Sequence, residues 1–346
     1  MKWVTRALVA LFILAAIAGT AALGAFFWFQ QQINAPGPLA GGEDKIVMIP
    51  KGAGVISIGQ QLEKEGLITD ARLFRLAAKL EDKETGIKAG EYRIATHASM
   101  IDILHQLEEG KVILHSVQVI EGSTIAQAMK VIAESSFLTG ELPAMPEEGS
   151  FLPNTYHFVR DTSRKEVVDR LIAEQDRLMK EIWPARKADL PVKTIKEAVI
   201  LASVVEKETG GIKDDDLVAG VFINRLNRGM RLESDPTIIY GISKGERLTK
   251  AVKGVEVQRG LYRSEIDRVT PYNTYQIDGL PPTPICNPSE AALRAVLQPA
   301  ETDYLFFVAD GKGGHAFART YREHQKNVNT WRGIEKSRRE KQGGAR

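Results

Sequence analysis

Ile200-Leu201-Ala202-Ser203-Val204-Val205-Glu206-Lys207-Glu208-Thr209-Gly210 is where a near-continuous apolar run, already begun at Ala198 and Val199, ends abruptly in carboxylates. As a helix, the stretch places Glu206 on one stripe with Val199, Ala202 and Ser203, at offsets of seven, four and three. That stripe carries no other charge. A carboxyl there is partly desolvated, which favours its neutral form. Gly210-Gly211 reads as a helix stop, so Glu206 falls in the last turn, where the negative end of the helix dipole also disfavours ionisation. Both effects point to a carboxylic acid still protonated near neutral pH, the state a general acid requires. Against this stands the commoner fate of a Glu in a last helical turn, a solvated surface residue. The stretch alone does not decide between them. Glu208, two residues along, faces elsewhere and reads as the solvated one of the pair.

The chain around this stretch has 346 residues, room for two or three domains, and a net charge of only +2. No segment combines strong positive charge with interleaved aromatics, so no nucleic-acid partner is expected. One cysteine, Cys286, excludes an intrachain disulfide. The six histidines are scattered and neither Cys-x-x-Cys nor His-Glu-x-x-His occurs, so no metal site and no cofactor are expected. Residues 7–29 are uncharged and overwhelmingly apolar, long enough to span a bilayer. Lys2 and Arg6 precede them and no charge follows until Glu43, which puts residues 1–6 in the cytoplasm and the rest outside it. The length of the run favours an anchor over a signal peptide cleaved near Ala22-Leu23-Gly24-Ala25.

Residues 30–44, including Asn34-Ala35-Pro36-Gly37-Pro38-Leu39-Ala40-Gly41-Gly42, read as a linker that lets the outer part move above the membrane. Over 45–113, short strands at Ile46–Ile49 and Glu91–Ile94 alternate with helices at 55–64 and 70–80, and with one opened by the capping-box-like Ser99-Met100-Ile101-Asp102 and stopped by Gly110. A similar strand–turn–helix begins at Val117 and enters its helix at Thr124. These echoes predict a small α+β module. Further helices are expected at 164–182, 194–207, 217–227 and 289–297, and a hairpin from Tyr304–Ala309 to His315–Ala318. Asp235, followed by Pro236, reads as a helix N-cap. Two stretches read as structured loops: Glu148–Phe158, rich in turn residues yet aromatic, and the rigid Tyr272-Asn273-Thr274-Tyr275 with Gly279-Leu280-Pro281-Pro282. An aromatic-rimmed surface of the second kind suits sugars. The Gly-rich Asp310–Gly314 turn lacks the Gly-Lys-Ser/Thr ending of a phosphate loop.

Taken in order, several stretches resemble the endolytic murein transglycosylases of the YceG-like type. They are the anchor and the Val-x-Ile-Pro-x-Gly opening at Val47, then Pro153-Asn154-Thr155-Tyr156, Ala202–Thr209, Val221-Phe222-Ile223-Asn224-Arg225-Leu226, Ser234-Asp235-Pro236-Thr237, Tyr272–Tyr275 and Phe307–His315. Asn154 and Glu233 stand where the family often has Asp and Gln. The resemblance implies an α+β fold in which a transmembrane helix is followed by a LysM-like module over 45–113, a mixed α+β catalytic domain over 114–335 and a basic tail over 336–346. It implies a bacterial inner-membrane enzyme facing the periplasm or wall space. Such an enzyme cuts nascent peptidoglycan between N-acetylmuramic acid and N-acetylglucosamine, leaves 1,6-anhydromuramyl ends and so terminates strand elongation. A strand-polymerising synthase is a reasonable partner for it. The family's catalytic Glu matches Glu206 here, acting first as acid and then as base. Glu148, Tyr156, Asn224, Asp235, Tyr272, Asn273 and Thr274 either touch the sugar or support the elements that do. A non-catalytic peptidoglycan tether and a hydrolytic muramidase are the competing readings.

Overall fold

The N-terminal apolar run is helical, but the helix is longer than its composition suggests. In the computed structural model, described over residues 2–39, 42–252 and 255–343, helix α1 spans Lys2–Asn34. Among the described residues it is the one helix long and apolar enough to cross a membrane. Its last turns leave the apolar stretch and dock: Phe29 and Ile33, four residues apart on one face, are buried in a hydrophobic core. The linker expected from residue 30 therefore starts only after Asn34. It is pinned at its beginning, where Pro36 bridges Ser99 and the Gly37 N–H donates to the Ala98 carbonyl at 3.1 Å. Met1, Ala40 and Gly41, and residues 344–346 of the basic tail, lie outside the described residues.

The chain forms two units, residues 1–115 with 158–161, and residues 116–157 with 162–346. In the first, β1 (Lys45–Ile49) leads into α2 (Val55–Lys64) and α3 (Ala71–Leu80), and β2 (Gly90–Ile94) leads into α4 (Met100–Glu109). Strands β1 and β2 pair antiparallel with Val47 opposite Tyr92, and period-two alternation turns Val47, Ile49, Tyr92 and Ile94 inward. The helix ends follow local chemistry. Asp70 accepts the Arg72 N–H, Ser99 and Asp102 form a full capping box, and Gly110 closes α4 at a φ of 74°. Phe74, Tyr92, Ile103, Leu104 and Leu107 fill the core, joined by the end of α1.

The second unit takes in β3 (His115–Val119) from Ser116 on, α5 (Ile125–Glu134) and β4 (Leu138–Thr139), followed by β5 (Asn154–Phe158) up to His157, β6 (Thr162–Ser163) and α6 (Arg164–Ile182). Then come α7 (Ile195–Thr209), α8 (Asp215–Asn227) and α9 (Asp235–Ser243). Strands β7 (Thr249–Val252) and β8 (Val255–Gln258), α10 (Arg263–Ile266) and α11 (Glu290–Leu297) follow. The β9 (Phe306–Ala309) and β10 (His315–Ala318) pair precedes α12 (Tyr321–Gly343). Among the described residues, strands form only two-stranded pairings, so helices build this core. Helix α7 is its axis. Every residue from Ala198 to Glu206 is buried, as a helix apolar on all faces requires, with α8 and α11 packed around it. Thr194 caps α7 through a capping box with Glu197, and Gly210, in the left-handed conformation at a φ of 57°, ends it. Gly149, at a φ of 79°, lets the loop before β5 lie against Pro284, since a Cβ there would stand 2.7 Å from the proline ring.

Leu201 is fully enclosed at the centre of α7. Leu201→Ala is expected to lower the unfolding free energy by about 2–5 kcal/mol. Thr124→Ala, which removes the α5 cap, costs about 1 kcal/mol. Denaturant titration of the detergent-solubilised full chain measures both, and a Leu201→Ala loss as small as the cap's contradicts the placement of Leu201.

Candidate active site

Side chains two residues apart on a helix point about 200° from one another, so the two carboxylates in the last turn of α7 leave it on opposite sides. Glu206 is buried, and its Oε2 accepts the Ser289 backbone N–H at 3.0 Å, at the start of α11. Burial raises its pKa, against the pull of the Ser289 hydrogen bond. The apolar stripe predicts this shift, and Val199, Ala202 and Ser203 are all buried beside it. Ser203 ties the neighbouring chain to α7, because its Oγ accepts the Ile285 N–H at 3.0 Å and its carbonyl accepts the Cys286 thiol. Beyond Glu206 opens a cleft of about 510 Å³ lined by Gln118, Glu121, Gly122, Asn154, Thr155 and Lys207.

Glu208 is not the solvated residue that its position in the last turn suggests. Its side chain turns inward, and its Oε1 accepts the Ser234 hydroxyl at 2.6 Å. Burial, reinforced by the negative charge of Asp235, pushes its pKa up to about 7. The carboxyl borders a cleft of about 480 Å³ whose wall includes Arg225, Glu233, Asp235, Tyr275, Phe307 and His315. These residues come from α8, the turn before α9 and its first residue, the Tyr272–Tyr275 loop and the β9–β10 hairpin. Arg225 is itself buried. Its guanidinium donates to the carbonyls of Leu305 and Leu232 at 2.7 and 2.9 Å, and to the Glu233 carboxylate at 3.1 Å. It thereby ties two cleft-forming segments, the turn at Leu232-Glu233 and the stretch at Leu305, to α8. Glu233 takes a left-handed φ of 54° there, strain that such a clamp sustains.

The remaining expected site residues divide. Asp235 lies in the Glu208 cleft, but it is not the N-cap that the Asp-Pro pair predicts. Ser234 occupies that position and spends its hydroxyl on Glu208, while Asp235 accepts the Tyr275 hydroxyl at 2.8 Å. Asn273 and Thr274 are fully buried. Asn273 donates to the Ile266 and Arg268 carbonyls at 2.9 and 2.7 Å, and Thr274 accepts the Ser234 N–H at 3.0 Å. They hold the loop that delivers Tyr275 and are closed to a ligand. Glu148 accepts the Ile125 N–H at 2.8 Å, completing the start of α5, and the Tyr240 hydroxyl at 3.1 Å; burial raises its pKa. Tyr156 is buried, its hydroxyl donating to the Leu152 carbonyl at 2.7 Å and its pKa raised to about 12 by burial. Asn224 donates to the carbonyls of Thr302 and Tyr304 at 2.7 and 3.0 Å, outside the Glu208 cleft. Tyr272 packs on Tyr240 at 5.1 Å under the Lys244 ammonium. Arg225, Tyr275 and His315 sit in motif stretches, yet no local pattern marks them as neighbours of Glu208. Among the described residues, no cluster of three or more His, Cys, Asp or Glu is arranged to hold a metal ion.

The fold and site together describe a mixed α+β protein with an N-terminal apolar helix and a desolvated carboxyl in an open cleft of its helical unit. The chain belongs to the YceG-like family, whose match covers residues 47–330. It is 29% identical to the endolytic murein transglycosylase of Streptococcus pneumoniae over 88% of this chain. It spans 62% of the length of that relative. It is 28% identical to the protein of the same name from Bacillus subtilis, over 81% of this chain and 82% of that one. A solved YceG-like protein of Listeria monocytogenes is 26% identical, covers 82% of this chain and 99% of its own, and superposes with a TM-score of 0.48.

A carboxyl whose pKa rises from 4.5 to about 7 on folding is protonated in the folded state and ionised in the unfolded state within that window. Stability is therefore lost as pH rises through it. Glu208→Gln removes this loss. Relative to wild type, the variant should gain about 2–3 kcal/mol of stability between pH 4.5 and 8, reduced by whatever solvent reaches the carboxyl. Parallel denaturation series across that range measure the gain; a constant difference contradicts the raised pKa.

Proposed function

We propose that the protein is a membrane-anchored endolytic lytic transglycosylase that cuts peptidoglycan glycan strands between N-acetylmuramic acid and N-acetylglucosamine, with Glu208 as the general acid. The observation that carries this is the Glu208 carboxyl, poised near pH 7 in a cleft assembled from separate motif stretches. The names of the Streptococcus and Bacillus relatives give the reaction class. Protonated Glu208 donates to the glycosidic oxygen as the muramyl ring becomes oxocarbenium-like, and the 6-hydroxyl of the same sugar closes on C1. An internal nucleophile makes the step unimolecular and needs no second carboxylate to activate water. Asp235 is the expected sugar-contacting residue that borders the same cleft. Glu148, Tyr156, Asn224, Tyr272, Asn273 and Thr274 act as supports.

A second reading keeps Glu206 as the acid, because it too is desolvated, raised in pKa and open to a cleft. Glu208 is preferred on electrostatic grounds. Burial and the Asp235 charge push the pKa of Glu208 up to about 7 against the Ser234 hydroxyl and the Arg225 and His315 charges, whereas Glu206, raised by burial and by Glu121 and Asp215, is pulled back by its hydrogen bond from Ser289. In this reading Glu206 fastens α11 to α7.

Around the chemistry we place the rest of the chain. Helix α1 anchors the protein in the bacterial inner membrane with its N-terminus in the cytoplasm. Residues 45–113 form a LysM-like glycan-holding module, and the catalytic domain extends from about residue 114 to 335. Work on nascent strands beside that membrane makes a peptidoglycan synthase the fitting partner.

The test is digestion of purified peptidoglycan by the full-length protein, with the new ends identified by mass. Anhydromuramyl ends are expected, at a rate that falls as pH rises through about 7. Glu208→Gln should lower the rate at least about 100-fold, while Glu206→Gln stays within about tenfold. The opposite ranking returns the acid to Glu206. Reducing ends identify a hydrolytic muramidase, and absence of cleavage on both nascent and mature strands leaves a tether.

A further inference from the structure

The transglycosylase reaction moves two protons, one onto the leaving oxygen and one off the 6-hydroxyl. The cleft beside Glu208 holds few groups free to take the second. Asp235 and Tyr275 satisfy one another, and Arg225 is spent on carbonyls and on Glu233. His324 stacks on Phe306, with its Nδ1 sealed from solvent. His315 is different. It opens β10 opposite Ala309, on a turn fixed by Asp310, whose Oδ1 accepts the N–H groups of Lys312 and Gly314 at 2.6 and 3.0 Å. Phe307 meets its ring edge-on at 5.3 Å. Its Nδ1 lies 2.8 Å from Asp214 Oδ2, in a pair whose side chains are only 9% and 10% exposed. The second oxygen of Asp214 is buried with no hydrogen-bond partner, and Asp214, at the start of α8, makes no side-chain cap there. A buried carboxylate that forgoes a partner and a cap is held for its one remaining contact, the imidazole. Because Asp214 accepts, Nδ1 carries the proton, and Nε2 presents a lone pair to the cleft that His315 lines.

We propose that His315, oriented by Asp214, is the general base that takes the proton from the muramyl 6-hydroxyl, so that Glu208 serves the leaving oxygen alone. This rests on the transglycosylase reading above. The C1–O bond to the leaving sugar breaks with its electron pair going to that oxygen, which receives the Glu208 proton. The C6 oxygen bonds to C1, and its hydrogen passes to Nε2. The imidazolium, paired with Asp214, then returns the proton to Glu208 through solvent. Nothing is oxidised or reduced.

His315→Asn discriminates this from a structural role, because the asparagine amide reproduces the Nδ1 donor to Asp214 but has nothing at Nε2. With the full-length protein on purified peptidoglycan, the variant should cleave about 100-fold more slowly. Among its products, the ratio of reducing to anhydromuramyl ends should rise at least tenfold as water competes for C1. That ratio does not depend on how much of the protein is folded. A wild-type ratio and a rate within threefold overturn the proposal. Reducing ends or no cleavage from the wild type overturn the transglycosylase reading itself. If His315→Asn fails to fold, Glu208→Gln decides. Titrated with an oligosaccharide of alternating N-acetylglucosamine and N-acetylmuramic acid, it should show the His315 Nε2 nitrogen resonance moving on saturation. A resonance that stays in place while the sugar binds overturns the assignment.

Discussion

A helix that is apolar on every face has to be enclosed on every face, and the second unit is built to enclose α7. With α8 and α11 against it, every residue from Ala198 to Glu206 is buried. The enclosure continues into the last turn, where the chain carries two carboxylates that cannot both escape to solvent. Desolvation raises both. Each finds a different partner on its own side: a backbone N–H at the start of α11 for Glu206, and a serine hydroxyl, with Asp235 and Arg225 nearby, for Glu208. The Ser289 hydrogen bond pulls the first back towards the charged state, while the pKa of the second is pushed up to about 7.

The polar groups around this turn form a layered support. Thr274 and Asn273, both buried, hold the loop that carries Tyr275, and Tyr275 in turn holds Asp235 at the mouth of the cleft. Arg225 gathers the backbone before β9, the segment at Leu232 and the Glu233 carboxylate onto α8. Each of these residues is hydrogen-bonded within the protein, which is how a buried polar group avoids a desolvation cost of about 1–3 kcal/mol.

Much of this architecture was legible residue by residue. The capping box at Ser99, the helix start at Thr124, the stops at Gly110 and Gly210, and the β9–β10 hairpin all follow from short-range rules that depend on neighbours in the chain. The limits of α1 did not follow. Its apolar composition ends near Phe29, yet Phe29 and Ile33 find a core to enter and the helix continues. At Asp235 the local rule named the wrong capping residue because Ser234 fills the position and Asp235 is drawn to Tyr275.

Periodicity marks α7 as a helix that stops at Gly210, and it leaves open whether the carboxyl in its last turn is desolvated or solvated, since hydrophobic periodicity and helix dipoles act only over a turn or two. That both carboxyls of this turn are desolvated, and how far each is shifted, follows from the tertiary structure alone. The pKa of a buried acid is set by the groups that reach it through space. Ser289 lies 83 positions from Glu206, and Ser234 lies 26 from Glu208. His315 reaches Asp214 across 101. No periodicity connects residues so far apart, and only the packing of α8, α11 and the β9–β10 hairpin around one enclosed helix brings them together.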